Sequence, residues 1–102
     1  MIALSKAAEF SEFVATHPES LVVFEGPDCI VCRRLDPMLA AFERHASGIP
    51  ILTVDVSEYV DIAAEHDVRG LPTLLHLKGG VPIQRRHGFS TSHELVKWTR
   101  KE

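Results

Sequence analysis

Residues 21–32 read LVVFEGPDCIVC, an apolar run that is followed, after a short turn, by the only two cysteines of the chain, Cys29 and Cys32. Four consecutive apolar residues at 21–24 are typical of a buried strand. After Cys32, apolar side chains recur at helical spacing: Leu35, Met38, Leu39 and Phe42. Cys29 is therefore predicted to lie at a helix start, where unpaired N–H groups and the helix dipole favour a thiolate. Because the thiolate attacks disulfides, this stretch predicts a disulfide-exchanging pair.

Length and charge limit what the chain can be. With 102 residues, a formal net charge of −3 and a pI near 6, it is predicted to form one domain over residues 1–102. The acidic balance argues against a nucleic-acid partner. Residues 1–9 do not resemble a secretory signal, and no run is long enough to cross a membrane. Two cysteines without an export signal fit a reducing compartment, so we expect a cytoplasmic location.

Periodicity and turn residues predict the element order βαβαβαββα, a mixed sheet with helices on both faces. The predicted strands cover residues 2–4, 21–24, 49–56, 74–77 and 81–86, with a hairpin at Gly79-Gly80. Ser5 is the expected N-cap of the first helix and Ser57 that of the third, which is predicted to hold Val60, Ile62, Ala63 and Ala64. The second helix is predicted over residues 29–46 with Pro37 inside it. Thr91 and Glu94 predict a capping box for the last helix.

This order, with a CxxC after the second strand, resembles the thioredoxin family. Residues 68–74, Val-Arg-Gly-Leu-Pro-Thr-Leu, resemble the loop that carries the cis-proline of that family. Residues 78–80 followed by Gly88 resemble its hairpin, and Pro37 matches its kinking proline. The resemblance extends over about the whole chain and implies a thioredoxin fold, with a central mixed sheet flanked by helices.

The resemblance also implies a site and a chemistry. Cys29, at the exposed helix end, is the expected nucleophile, and Cys32 one turn later would resolve the mixed disulfide. A cis Leu71-Pro72 bond would face the pair and leave the backbone of Leu71 free to pair with an extended substrate strand. The expected substrate groove is formed by seven residues: Asp28, Ile30, Val31, Gly70, Leu71, Pro72 and Gly88.

Three departures from the usual Trp-Cys-Gly-Pro-Cys signature bear on reactivity. Asp28 replaces the tryptophan; its carboxylate would raise the pKa of Cys29, or it could be an N-cap. Ile30-Val31 replaces Gly-Pro, and we expect a less reducing potential. Val23 and Thr53 occupy the positions of the buried proton-relay acid and its companion lysine. Glu25, on the same face as Val23, could replace that acid as the base for Cys32, or be a solvated carboxylate at a strand end.

The leading hypothesis is a thiol–disulfide oxidoreductase without a bound cofactor. It would act on disulfide-containing proteins and receive electrons from a flavoprotein reductase or a low-molecular-weight thiol; nothing requires more than a monomer. One alternative is an interaction module that has kept the fold and lost efficient turnover. Another is a zinc site shared between the CxxC pairs of two chains, since two cysteines supply half of a tetrahedral site. The six histidines show no ligand-spaced pair, and each is expected to be a surface or turn residue rather than a catalyst; His76, predicted to lie within a strand, fits that expectation least well.

Overall fold

The computed structural model describes residues 1–45 and 48–100. Its elements are β1 (Ile2–Ala3), α1 (Ala8–Thr16), β2 (Glu19–Glu25), α2 (Ile30–His45), β3 (Ile51–Asp55), α3 (Val60–Glu65), β4 (Thr73–Lys78), β5 (Val81–His87) and α4 (Ser92–Thr99). The predicted order βαβαβαββα and the hairpin at Gly79-Gly80 are confirmed. The predicted single domain extends to Lys101 and Glu102, and the predicted second helix to Ala46; these three residues lie outside the described ones.

One mixed sheet forms the centre of the molecule, with strands in the order β1-β3-β2-β4-β5. β1, β3 and β2 run parallel, whereas β4 is antiparallel to both β2 and β5. Because β4 runs against β2, the last residues of β2 lie beside the first residues of β4, with Phe24 opposite Thr73. No helix within the described ranges is long and apolar enough to span a membrane.

Each face of the sheet packs against its own pair of helices. On one face, Phe10 and Phe13 of α1 and Ile62 of α3 cover Val22, Phe24 and other strand residues. On the other face, α2 and α4 cover the alternate strand positions with Leu35, Leu39, Phe42, Leu95 and Trp98. Strand side chains alternate between the two faces, so the continuous apolar run at 21–24 supplies both cores. Pro37 lies inside α2, as expected.

Two predicted helix caps are wrong, for the same physical reason. Ser5 does not cap α1; its hydroxyl and the backbone N–H of Lys6 both donate to the Glu9 carboxylate, and the helix begins at Ala8. Ser57 does not cap α3; its N–H and hydroxyl donate to Asp55, and the helix begins at Val60. In both places a nearby carboxylate, which accepts stronger hydrogen bonds than a hydroxyl, organises the turn. Val60 lies in α3, as predicted, and is exposed.

Two further expectations need correction. β2 begins at Glu19 and ends at Glu25, two residues earlier and one later than predicted, whereas β3 is shorter than the predicted 49–56.

His76 is fully buried rather than at the surface or in a turn. Its Nε2 lies 2.6 Å from Oε2 of Glu19, and its Nδ1 lies 3.0 Å from the amide nitrogen of Gln84. These partners explain how a polar ring is accommodated in the core.

β5 is the long outer edge of the sheet. The strand contains Pro82, which has no N–H to offer, and its pairing with β4 is irregular between His76 and Leu77. The guanidinium of Arg85 donates to the main-chain carbonyls of His66 and Asp67 just after α3. β5 is thereby tied to α3 across one face of the sheet.

The capping analysis makes a prediction about stability. Thr91 accepts a hydrogen bond from the N–H of Glu94 at 3.1 Å, and the Glu94 carboxylate accepts one from the N–H of Thr91 at 2.8 Å. Thr91→Ala removes this cap and should lower the free energy of unfolding by about 1 kcal/mol. Ser5→Ala, at a serine that caps no helix, should lower it by less than about 0.5 kcal/mol. Urea denaturation measures both; equal losses would contradict the assigned caps.

Candidate active site

The site lies at the end of the sheet where β2 stops and α2 starts. Cys29 and Cys32 form a disulfide with Cα atoms 5.3 Å apart. Cys29 is partly exposed, whereas Cys32 is only 4% exposed. The roles expected for them stay a prediction, which requires that the attacking sulfur be accessible and that the resolving sulfur reach its neighbour.

The start of α2 corrects one of the two interpretations of Asp28. The helix begins at Ile30, so Cys29 occupies the N-cap position. Its carbonyl accepts the N–H of Arg33 at 3.2 Å, and its Sγ accepts the N–H of Cys32 at 3.2 Å. Asp28 precedes this cap with a positive φ of 61° and is exposed. Asp28 is therefore not the N-cap; its influence on the Cys29 thiol stays a prediction for the reduced protein.

Antiparallel pairing brings the loop before β4 to the same end of the sheet. The Leu71-Pro72 peptide bond is cis, as the resemblance implied. A β-carbon built on Gly26 would lie 3.0 Å from Cδ1 of Leu71, so the side chain of Leu71 lies against the turn that leads to Cys29. The Thr73 hydroxyl donates to the Gly70 carbonyl and holds this loop. Within residues 1–45 and 48–100, no hydrogen bond engages the N–H or C=O of Leu71.

The loop after β5 completes this end of the sheet. The N–H of Gly88 donates to the Pro72 carbonyl at 3.0 Å, which fixes Gly88 beside the cis bond. Its φ of 79° is one that side-chain-bearing residues rarely adopt, which explains the glycine. Gly70 has no such requirement, and a β-carbon at either glycine would meet no atom within 4 Å. Both positions therefore border open space.

Glu25 is the last residue of β2, half-buried and opposite Asp55 in the pairing with β3. Strand alternation places its side chain on the same face as Val23, which packs against Leu35 and Leu39 of α2. Burial raises the pKa of Glu25 to about 7, and the charges of Asp36 and Asp55 add to the shift. Glu25 is thus half-buried rather than fully solvated, and its role as the base for Cys32 stays a prediction.

Asp36 and Asp55 are the two carboxylates that act on Glu25, and neither was identified from the sequence. Asp36 lies one helical turn after Cys32, a spacing that places both on one side of α2 and could have revealed it. Partial burial raises its own pKa. The hydroxyl and N–H of Ser57 hold the pKa of Asp55 below its usual value, so this carboxylate stays charged.

Val23 and Thr53 face each other on β2 and β3, and both are buried. Neither can exchange a proton, so Glu25 is the carboxyl that the second strand brings to the start of α2. Across the described ranges, no group of three or more His, Cys, Asp or Glu side chains is arranged to hold a metal ion.

A five-stranded mixed sheet between two helix pairs, with a CxxC disulfide opening α2 and a cis-proline loop beside it, defines the thioredoxin fold. Comparison with known sequences then identifies the family. The sequence model described as Thioredoxin matches residues 1–101. The chain belongs to the thioredoxin family.

Individual relatives agree with this assignment. The chain is 36% identical over 103 residues to protein disulfide isomerase-like 1-4 of Oryza sativa, covering 97% of this chain and 18% of that protein. It is 28% identical over 89 residues to a thioredoxin of Alicyclobacillus acidocaldarius, covering 86% of this chain and 85% of the relative. The chain thus spans about a fifth of the length of the disulfide isomerase relatives it matches.

Solved structures support the fold. Oxidised thioredoxin of Plasmodium falciparum superimposes with a TM-score of 0.89 at 19% identity, over 99% of this chain and 96% of that one. Mitochondrial thioredoxin 3 of Saccharomyces cerevisiae gives a TM-score of 0.89 at 24% identity, over 100% and 95% of the two chains.

The carboxyl cluster predicts an unusual titration. We expect the Glu25 side chain of the oxidised protein to titrate near pH 7, and Asp36→Asn to lower this midpoint because one of the repelling charges is gone. Carbon-13 NMR of the Glu25 carboxyl measures both midpoints. A wild-type midpoint near the ordinary value of 4.5 would contradict the described environment.

The same shift predicts how stability depends on pH. Since the pKa of Glu25 is raised from 4.5 to about 7, the folded protein binds this proton more tightly than the unfolded chain. Its contribution to stability is fully present below pH 4.5 and is lost as the pH rises through 7. Urea denaturation at several pH values should show that Glu25→Gln removes this decrease, whereas Glu12→Gln, at an exposed glutamate of α1, should retain it.

Proposed function

We propose that this chain is a thiol–disulfide oxidoreductase that reduces protein disulfides, or mixed disulfides with a small thiol, through the Cys29–Cys32 pair. The observation that carries this proposal is the pair itself, closed as a disulfide at the start of α2, with Cys29 partly exposed and Cys32 buried. Membership of the thioredoxin family supports it.

The proposed reaction starts from the reduced pair. The Cys29 thiolate attacks one sulfur of the substrate disulfide; that bond breaks, and the other substrate sulfur leaves as a thiolate that takes a proton. Cys32 then loses its proton and attacks Sγ of Cys29, which releases the second substrate thiolate. Two electrons pass from the dithiol to the substrate, and the Cys29–Cys32 disulfide is formed.

The groove beside the cysteines is proposed to hold an extended substrate segment. The N–H and C=O of Leu71, which no hydrogen bond engages among the residues that the structure describes, can pair with the backbone of such a segment, as in strand addition to a sheet. Gly70 and Gly88 border open space and would let a protein chain approach the disulfide. Asp28, Ile30, Val31 and Pro72 are proposed to form the remainder of this groove.

Glu25 is proposed to accept the proton of Cys32. With a pKa of about 7, it is partly ionised near neutral pH and can both take and return a proton there. Its half-buried position at the end of β2, close enough to Asp36 of α2 for that charge to act on it, supports this role.

The remaining parts of the proposal concern partners. A flavoprotein reductase or a low-molecular-weight thiol would return two electrons to the disulfide. The chain itself would bind no cofactor, nucleic acid or membrane, and we propose that it is a monomer in the cytoplasm.

We also propose that its reduction potential is less reducing than that of an ordinary thioredoxin, since Ile30-Val31 separates the cysteines. Equilibration with glutathione redox buffers, followed by thiol alkylation and mass spectrometry, measures that potential.

The principal test is reduction of insulin by dithiothreitol with the chain as catalyst. Wild type should accelerate the reaction, and Cys29→Ser should abolish the acceleration because the attacking sulfur is gone. Cys32→Ser should still attack but should accumulate a mixed disulfide that mass spectrometry detects. An inactive wild type would favour the interaction-module alternative.

A second test addresses Glu25 in the resolving step. Wild-type activity should rise with pH through an inflection near 7, the pKa of this carboxyl. Glu25→Gln should shift the inflection toward that of an ordinary thiol, about 8.5, and lower the rate at pH 7 by about ten- to a hundredfold. Glu12→Gln is the control. An unchanged rate and pH profile in Glu25→Gln would rule out this role.

A further inference from the structure

A fully buried histidine lies in the middle of the sheet, and the proposed mechanism does not use it. Among the described residues, His76 of β4 is the only histidine or charged residue whose side chain is buried. Its ring lies on the face of the sheet that α2 and α4 cover, with its centroid 5.8 Å from that of Trp98. A buried group that can change its charge can couple the pH of the solution to the structure around it.

Side chains from the strands on both sides of β4 reach this ring. Gln84 of β5 is paired with His76 in the sheet, and its amide nitrogen lies 3.0 Å from Nδ1 of the ring. Glu19 of β2 places Oε2 2.6 Å from Nε2 of the ring. The amide nitrogen of Gln84 also lies 2.9 Å from the main-chain carbonyl oxygen of Trp98, in the last turn of α4. We call these three side chains and the Trp98 carbonyl the His76 network.

The Trp98 carbonyl fixes the direction of each hydrogen bond in the His76 network. A carbonyl oxygen only accepts, so the Gln84 amide must turn its nitrogen toward Trp98 and donate there. The second N–H of that nitrogen donates to Nδ1, which is therefore the ring nitrogen without a proton. Nε2 carries the ring proton and donates to the Glu19 carboxylate. The observed network thus requires a neutral His76.

A proton added to His76 would go to Nδ1 and disturb this arrangement. The new N–H and the Gln84 N–H would face each other as two donors with no acceptor between them. A hydrogen bond is restored if the Gln84 amide rotates and its oxygen accepts from Nδ1, but the amide nitrogen then leaves the Trp98 carbonyl. Because that carbonyl also accepts the N–H of Arg100, it keeps a partner after the rotation. What is lost is the hydrogen bond that ties the last turn of α4 to β5.

The charged groups around His76 act on its protonation in both directions. Glu19, whose side chain is 26% exposed, is in direct contact with the ring and would form an ion pair with the imidazolium. Lys78, two positions later on β4, and Arg86, two positions after Gln84 on β5, oppose the added charge. α2 and α4 cover this face with the apolar side chains of one core cluster. The contact with Glu19 therefore allows a charged His76 within the fold.

We propose that the His76 network is an acid-sensitive switch: when His76 takes up a proton, the Gln84 amide rotates and releases the last turn of α4 from the sheet. This inference goes beyond the proposed function, because neither the cysteines nor a substrate takes part. Leu95 and Trp98 still hold α4 in the apolar core, so the expected change is confined to the end of the helix.

Gln84 itself supplies the probe. It is the only glutamine of the chain, which contains no asparagine, so a nitrogen-15 NMR spectrum shows a single side-chain amide pair. The oxidised protein is compared at about pH 8 and about pH 5, the ends of the range in which histidines ordinarily change charge. The Gln84 signals should move between the two. The protection of the last-turn amides of α4 against hydrogen exchange, corrected for the intrinsic effect of pH, should fall about fivefold at the lower pH, as expected for the loss of one hydrogen bond.

Three variants separate this switch from other effects of pH. His76→Leu removes the titrating ring and leaves Gln84 bonded to Trp98, so the signals and the protection should be the same at both pH values. Gln84→Leu removes the bond itself, so the protection should be about fivefold lower than in wild type already at about pH 8. His93→Ser is the matched control, at an exposed histidine of α4, and should respond as wild type does.

If the two core variants do not fold, wild type alone still tests the inference. Long-range nitrogen-15 spectra of the imidazole ring must show the proton of His76 on Nε2 at about pH 8. A proton on Nδ1 at that pH, Gln84 signals that do not move with pH, or the same movement in His76→Leu would overturn the inference. None of these results bears on the oxidoreductase proposal, which the insulin reaction tests separately.

Discussion

The antiparallel pairing of β4 with β2 is the constraint on which the site depends. It brings the end of β2, with Glu25 and the turn to Cys29, beside the start of β4 and the cis Leu71-Pro72 bond. β5 then extends the same edge and contributes Gly88 through its hydrogen bond to Pro72. Residues that are distant in sequence thus meet at one end of the sheet, although each follows or precedes a strand whose main role is to bury apolar surface.

The elements of the fold were largely predictable from apolar periodicity and turn residues. Leu35, Leu39 and Phe42 recur at helical spacing and are all fully buried on one side of α2. The misplaced caps at Ser5 and Ser57 have a local cause, since pattern alone does not tell which of two nearby oxygens an N–H will choose. The burial of His76 was not predictable because its partner Glu19 lies 57 positions away in the sequence. Pairings of this kind become visible only when the strands are aligned.

The parts of the candidate site that follow sequence motifs were predictable. The parts that depend on the burial of a side chain and on the charges around it were not. The CxxC and the cis-proline loop stand in the sequence, and the structure brings them to one place. The raised pKa of Glu25 depends on burial and on Asp36 and Asp55, which belong to other elements. A property of this kind is set by all the groups that surround a side chain in the folded protein, and the spacing of residues along the sequence does not reveal them.

The outer edge of β5 has a consequence for how copies of this chain meet in concentrated solution. A long open strand can act as a template on which further strands stack, and this is one route to fibrils. Pro82 removes one donor from that template, and the irregular pairing between His76 and Leu77 disturbs its straightness. A strand of another copy therefore finds a poor partner along this margin. Association through β5 is thereby disfavoured, so one route to fibrils is hindered even at high protein concentration.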